Sequence, residues 1–236
     1  MSIAAHTIAA ALHTLQGAVI TALLLNQRPV RADLIWDSFG KSDVITSYTI
    51  SSLLPVFSFL SASNHTISIF QPNYANLSQW SEYALSAGLM DWLLCTLSGV
   101  VDIRSLISIV VINTLLQSVG YQLNQPGLSQ VQKSQLLLHG FALHCAIWIH
   151  LFASFYHAIR SAENVVPGIV YGIIWVMFAL NTSFGVWAAL SINNSVGDQE
   201  QITTGYIILS LIAKSLLTWM VYFGLVRTDD TSSLEG

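Results

Sequence analysis

Seven stretches of this chain, at about residues 3–25, 45–70, 78–100, 103–123, 133–159, 167–190 and 202–226, run on with hardly a charge among them. A helix rises 1.5 Å per residue, so each stretch reaches across the roughly 30 Å hydrocarbon core of a bilayer. No water is available there to bond the backbone, and only helices or closed barrels satisfy it internally. A barrel is written in segments of about ten residues that alternate apolar and polar, a pattern the chain does not show. The expected fold is an all-α integral membrane protein, a seven-transmembrane-helix bundle forming a single domain over residues 1–236 and surrounded by lipid. The first stretch is too long, and too poor in basic residues at its start, for a cleaved leader, and it counts as the first helix. Charged residues make up 8% of the chain, against about 25% in soluble domains. No run of Lys and Arg offers a surface to nucleic acid. Cys95 and Cys145 fall inside expected helices, where they act as small apolar residues. The long connection Asn26 to Asp43 mixes Arg28, Arg31, Asp33, Asp37, Gly40 and Lys41 with Leu34, Ile35, Trp36 and Phe39, and is expected to fold back on the bundle.

Against this background Lys214 stands out as the one basic residue deep inside an apolar span. A charged side chain at the bilayer centre costs about 2.5–3.5 kcal/mol on insertion scales, so such residues face the bundle interior and mark functional sites. A lysine in a dry pocket is poised to condense with an aldehyde, and one such lysine in the last of seven helices suggests retinal. Glu82 in the third span is the natural partner, with Ser86 four residues on along the same face. The third and seventh helices run the same way, and helical side chains lean toward the N-terminus, so the arm of Lys214 reaches toward the end at which Glu82 enters. Together the two charges are neutral, whereas either one alone is strongly disfavoured. Ser210 and Thr218, four residues to either side of Lys214, extend a polar stripe along that helix.

The first span carries His13 and Gln16, and the second carries His65; together they can line one polar cavity able to accept a proton near neutral pH. His139, His150 and His157 of the fifth span lie on nearly one face, but they stretch over about 27 Å and cannot share a metal ion. Zinc-hydrolase spacing, a phosphate-binding glycine loop and a serine-nucleophile elbow are all missing, and no enzymatic activity is expected. Asp91, nine residues after Glu82, points to the opposite side of its helix and is expected to face a neighbouring helix as a buried carboxyl.

The motifs around these residues resemble those of the heliorhodopsins. Ser210-Leu-Ile-Ala-Lys-Ser-Leu-Leu-Thr-Trp219 is similar to that family's retinal-attachment motif, and Glu82-Tyr-Ala-Leu-Ser-Ala87 to its counterion motif, with Ala84 where the family has a serine. His13-x-x-Gln16 and Phe59-Leu-Ser-Ala-x-x-His65 match the family's histidine positions, and the similarity continues through Gly99-Val-Val-Asp-Ile103, Asn113, Pro167-Gly-Ile-Val-Tyr-Gly172 and Asn181. The resemblance implies a rhodopsin-like photosensor holding all-trans retinal as a protonated Schiff base on Lys214, with Glu82 as counterion. It implies Ser86, Ser210, Trp148, Asn113 and Asn181 around the chromophore and a proton-accepting cavity at His13, His65 and Gln16. It further implies a homodimer in the plasma membrane, an unidentified signalling partner and a cytoplasmic N-terminus. The distribution of Arg28, Arg31, Lys41, Arg104, Arg160 and Arg227 against Lys133 alone argues for the reverse orientation.

Ion-pumping relatives carry an arginine three residues before the counterion and an aspartate four residues before the lysine. Here those positions are Gln79 and Ser210. Asp91 departs from the apolar residue of the family, which keeps a light-gated or light-driven proton transporter as the alternative, with a pigment-free transporter using the Lys214–Glu82 pair as a third reading.

Overall fold

A computed structural model describes residues 3–38, 41–161, 166–193 and 197–227. Each of the seven apolar stretches is a helix: α1 (Ile3–Leu24), α2 (Leu53–Phe70), α3 (Ala75–Leu97), α4 (Ile103–Leu123), α5 (Gln130–Ser161), α6 (Gly168–Ile192) and α7 (Gln199–Val221), the last continuing as a π turn over Tyr222–Val226. The odd-numbered helices run away from the N-terminal end of the bundle and the even-numbered ones return to it. α3 stops short of residue 100 because Gly99, at φ 82°, turns the chain in the left-handed region open to glycine.

The surface is apolar and the interior is where the polar groups lie. Leu15, Leu85, Leu115, Leu138, Ile149 and Trp175 are exposed, while His13, Ser61, His65, Glu82, Asp91, Asn113 and Lys214 are buried. This arrangement suits lipid, which solvates the outer side chains and leaves polar groups to find partners between helices. Among the described residues six helices are long and apolar enough to cross a membrane, and α3 is not one of them. Its polarity comes from residues turned inward, with Gln79, Glu82, Ser86 and Asp91 all buried.

The second span begins later than its apolar run. Residues 45–49, expected to be helical, belong to the strand β2 (Lys41–Thr49), and Ile50–Ser52 form a single 3-10 turn. β2 pairs antiparallel with β1 (Arg31–Ser38), with a register shift between Leu34 and Ile35. Val44, Ile45, Thr46 and Thr49 are β-branched, and a strand suits them better than a helix. The long connection therefore folds back, as expected, but as a hairpin; Phe39 and Gly40 lie outside the described residues. Ile35 donates its N–H to the Val101 carbonyl at 3.0 Å, tying β1 to the turn between α3 and α4. Asp102 caps α4 by accepting from the Ser105 N–H at 3.1 Å, and also accepts from the Asp37 N–H at 3.3 Å. Arg104 pairs with Asp102 at 3.2 Å, donates to the Asp37 carbonyl and lies 5.0 Å over the Trp36 ring. Partial desolvation works to raise the Asp102 carboxyl, but the hydrogen bonds from Ser105, Asp37 and Arg104 outweigh it and hold the group below the usual carboxylate range.

Candidate functional site

Lys214 lies in the middle of α7 and is 3% exposed, so its charge is balanced by protein or not at all. Its Nζ donates to Glu82 Oε1 at 2.6 Å and to Ser61 Oγ at 2.5 Å. Ser61 Oγ in turn donates to the same Glu82 oxygen at 2.8 Å. Three helices thus close a triangle around one proton-bearing nitrogen. The Tyr83 ring, 5.2 Å from Nζ, adds a cation–π contact. Ser61 lay inside a quoted motif, yet nothing in the linear spacing of α2 marked it as the residue that joins the pair. Ser61→Ala should strip the ammonium and the carboxylate of one partner each, at a cost of about 1–3 kcal/mol. The expected outcome is a lower thermal midpoint for the purified protein; an unchanged midpoint would mean the hydroxyl is not part of the site.

A cavity of about 130 Å³ opens beside Lys214 and runs between α3, α4, α5, α6 and α7. Lys214, Ser210, Ser86, Trp148, Asn113 and Asn181, all expected around a chromophore, line it together. Glu82 does not line it and sits behind the lysine. Most of the remaining wall is apolar or aromatic, including Met90, Phe141, Ile147 and Phe184, as a polyene requires. Ser86 Oγ is buried without a hydrogen-bond partner among the described residues and faces this space. The wall therefore fits retinal, with an amine at one end and an aromatic enclosure beyond it.

Asp91, also on the wall, accepts from Asn113 Nδ2 at 2.5 Å, and Gln117 donates to Asn113 Oδ1 at 3.2 Å. The carboxyl thus faces α4, away from the Lys214–Glu82 pair, in agreement with its helical phase. At the N-terminal end the cavity is closed by Trp80, Tyr83 and Tyr206, packed edge to face with centroids 5.6 Å apart for Trp80–Tyr83 and for Trp80–Tyr206. Tyr83 donates its hydroxyl to the Tyr206 carbonyl at 3.1 Å. Gly120 makes room for this wall, since a Cβ there would collide with the Trp80 ring.

The histidines gather on the other side of the lysine, between α1 and α2. His13 stacks on His65 with centroids 5.7 Å apart, and both are buried. Gln16 is close by on α1, but its Oε1 accepts from Ser215 Oγ of α7 at 2.7 Å and does not reach either ring. The third member of the group is His6, whose Nδ1 lies 3.0 Å from His65 Nδ1. Its spacing of seven residues from His13, two helical turns, was the signal available in the sequence. Among the described residues no group of three or more His, Cys, Asp or Glu is arranged to hold a metal ion. Cys95 and Cys145 are both free thiols.

Solved structures share this architecture at low identity. The light-driven proton pump LR (Mac) from Leptosphaeria maculans is similar with a TM-score of 0.73 and 12% identity, over 93% of each chain. The transmembrane domain of Salpingoeca rosetta rhodopsin phosphodiesterase gives 0.72 and 11%, over 94% of this chain and 83% of that one. Thermophilic rhodopsin from Rubrobacter xylanophilus gives 0.69 and 11%, over 95% and 96%. These similarities carry the fold and no more. No curated protein matches the chain. The heliorhodopsin family model, by contrast, matches residues 4–226 and so runs through all seven helices: the chain belongs to the heliorhodopsin family.

Proposed function

We propose that this protein is a retinal photosensor in which Lys214 carries all-trans retinal as a protonated Schiff base, Glu82 is the counterion, and no ion is pumped. Family membership implies the retinal chromophore and the membrane setting. The observation that carries the finer reading is the buried contact of 2.6 Å between Lys214 Nζ and Glu82 Oε1 at the end of an aromatic cavity. When bound, retinal supplies an aldehyde carbon for the lysine amine and a polyene that changes shape on absorbing light. The chain supplies the rest. Glu82 and Ser61 orient the hydrogen on Nζ, Tyr83 adds its ring face, and Trp148, Asn181 and Asn113 border the space in which the polyene moves. Ser86 offers its free hydroxyl on the same wall.

Pumping is disfavoured by what stands beside the pair. Gln79 is buried one turn before Glu82, and Ser210 is buried one turn before Lys214, so neither place holds the charge a release path uses. The imidazoles on the other side of the lysine, His13 of α1 and His65 of α2, offer ring nitrogens to a proton leaving the pair. Replacing both by phenylalanine should change the rise or decay of the blue-shifted, deprotonated state seen after a flash and leave the dark absorption maximum in place, because Glu82 controls the latter. Unaltered flash kinetics in the double variant would count against the histidines as acceptors.

The decisive experiment is purification with all-trans retinal followed by a visible spectrum: a colourless protein sinks the photosensor. Light-evoked current under voltage clamp then separates a sensor, with none, from a transporter. The transporter reading draws on Asp91, a buried carboxyl on the cavity wall. A sustained photocurrent that vanishes in Asp91→Asn would establish it. The same family reading includes a homodimer in the plasma membrane, a cytoplasmic N-terminus and an unidentified signalling partner. Labelling of the hairpin from outside the cell tests the orientation.

A further inference from the structure

We infer that His6 is the outlet of a three-histidine proton relay, His13–His65–His6, through which the Lys214–Glu82 site exchanges its proton with the medium on the N-terminal side of the membrane. The inference rests on the proposed function for the origin of the proton, and on separate geometry for its route. A second cavity of about 530 Å³ lies at the N-terminal end of the bundle, lined by Asn76, Gln79, Gln125, Lys133, Glu200 and other polar side chains of the helix ends. It is a vestibule suited to water, unlike the apolar chamber beside the lysine.

Trp80 and Tyr206 line both spaces and, with Tyr83, form the packed partition between them. A direct passage from the vestibule to the chromophore chamber is therefore filled with aromatic rings. His6 also lines the vestibule, although only 2% of it is exposed. Its ring lies 5.2 Å from that of His65, centroid to centroid, and the His65 ring stacks at 18° on that of His13. The histidines thus form a file that bypasses the partition along α1 and α2.

The His65–His6 contact hands a proton from nitrogen to nitrogen, whereas the stacked rings of His13 and His65 make no such contact, so water carries the proton into His13 and on to His65. A proton on His65 Nδ1 crosses the 3.0 Å contact to His6 Nδ1, and His6 then gives up the proton of its Nε2. When a proton returns from vestibule water to Nε2, the one on Nδ1 passes back to His65, so the cycle conserves protons and involves no redox change. His6 Nε2 is buried and has no hydrogen-bond partner among the described residues. At the inner end both ring nitrogens of His13, and Oε2 of Glu82, are likewise without partners there. Among the described residues the charged groups at the ends of the file are Glu82 from α3 and Lys214 from α7 at the inner end, with Lys133 from α5 and Glu200 from α7 at the vestibule, and the N-terminal ammonium also acts on His6. Release and return on the same side leave no net transport, so the relay is compatible with a protein that passes no current.

The route can be read without pigment. In full-length protein prepared without retinal, in nanodiscs and with ¹⁵N-labelled histidine, NMR reports exchange of the His13 and His65 ring protons with water. His6→Phe should slow both by about a hundredfold, the low end of what a positioned proton-transfer group contributes. His6→Asn, which keeps a hydrogen-bonding side chain beside His65 but has no second nitrogen to relay through, should do the same. In His6→Ala, millimolar imidazole entering the vestibule should restore the exchange. Wild-type exchange rates in His6→Phe and His6→Asn would overturn the relay, as would a failure of imidazole to act on a slowed His6→Ala. A protein that never colours with retinal would instead remove the proposed function and leave these exchange rates as they are.

Discussion

Lys214→Ala is expected to yield a protein that binds no visible pigment, with absorbance above the protein band falling to background after incubation with all-trans retinal. Only a primary amine condenses with an aldehyde, and Lys214 is the lysine that lines the aromatic cavity. Lys214→Arg should be equally colourless while keeping a positive charge, which separates the loss of chemistry from the loss of charge. The alanine variant also leaves the Glu82 carboxylate buried without its ion-pair partner, a change that costs about 3–5 kcal/mol when a buried pair is broken from one side. The double variant Lys214→Ala/Glu82→Gln should therefore melt at a higher temperature than Lys214→Ala alone. A coloured alanine variant would show that retinal is attached elsewhere.

Glu82→Gln should retain the pigment and move its absorption to longer wavelength. The carboxylate stabilises positive charge at the nitrogen end, and without it the charge spreads along the polyene. The same loss makes the nitrogen easier to deprotonate, so the pH at which the visible band disappears should fall by about 1–3 units, the usual effect of a close opposite charge. A spectral titration of both proteins reads the two effects at once. An unchanged band would transfer the counterion role to another carboxylate, and Asp91, held by Asn113 on α4, would be the one to replace next.

The helices were legible because membrane insertion is written in one dimension: a long uncharged run has no other structure open to it in lipid. The Lys214–Glu82 pair was legible for the same reason, each being conspicuous in its span, and the lean of helical side chains gave the direction of reach. β2 was missed because Val44, Ile45 and Thr46 merge into the apolar run that follows, and only pairing with β1 and the anchor at Asp102 distinguish strand from helix there. Gln16 and His13 share a face of α1, yet which neighbour covers each depends on how α1 leans. It places Ser215 against the glutamine and His65 against the histidine. Ser61 and His6 escaped for a related reason. A serine in a membrane helix commonly bonds its own backbone, and a histidine near a helix end usually meets headgroups, so neither signals a site until the opposing helix is known.

α3 has a consequence for how the protein is made. Since it is less apolar than the other six helices, its place in the membrane draws on polar partners supplied by the helices made before and after it. α2 is already synthesised when α3 appears and offers Ser61 to Glu82; α4 follows at once and brings Asn113 to Asp91. Lys214 arrives last, on the final helix. Until then Glu82 lacks its cation, and the nascent chain is a set of helices whose central member is held by hydrogen bonds from Ser61 and Asn113. Completion of α7 is the step that turns this assembly into a charge-balanced protein, so truncation before α7 should expose α3 to quality-control proteolysis even though six of the seven helices are present.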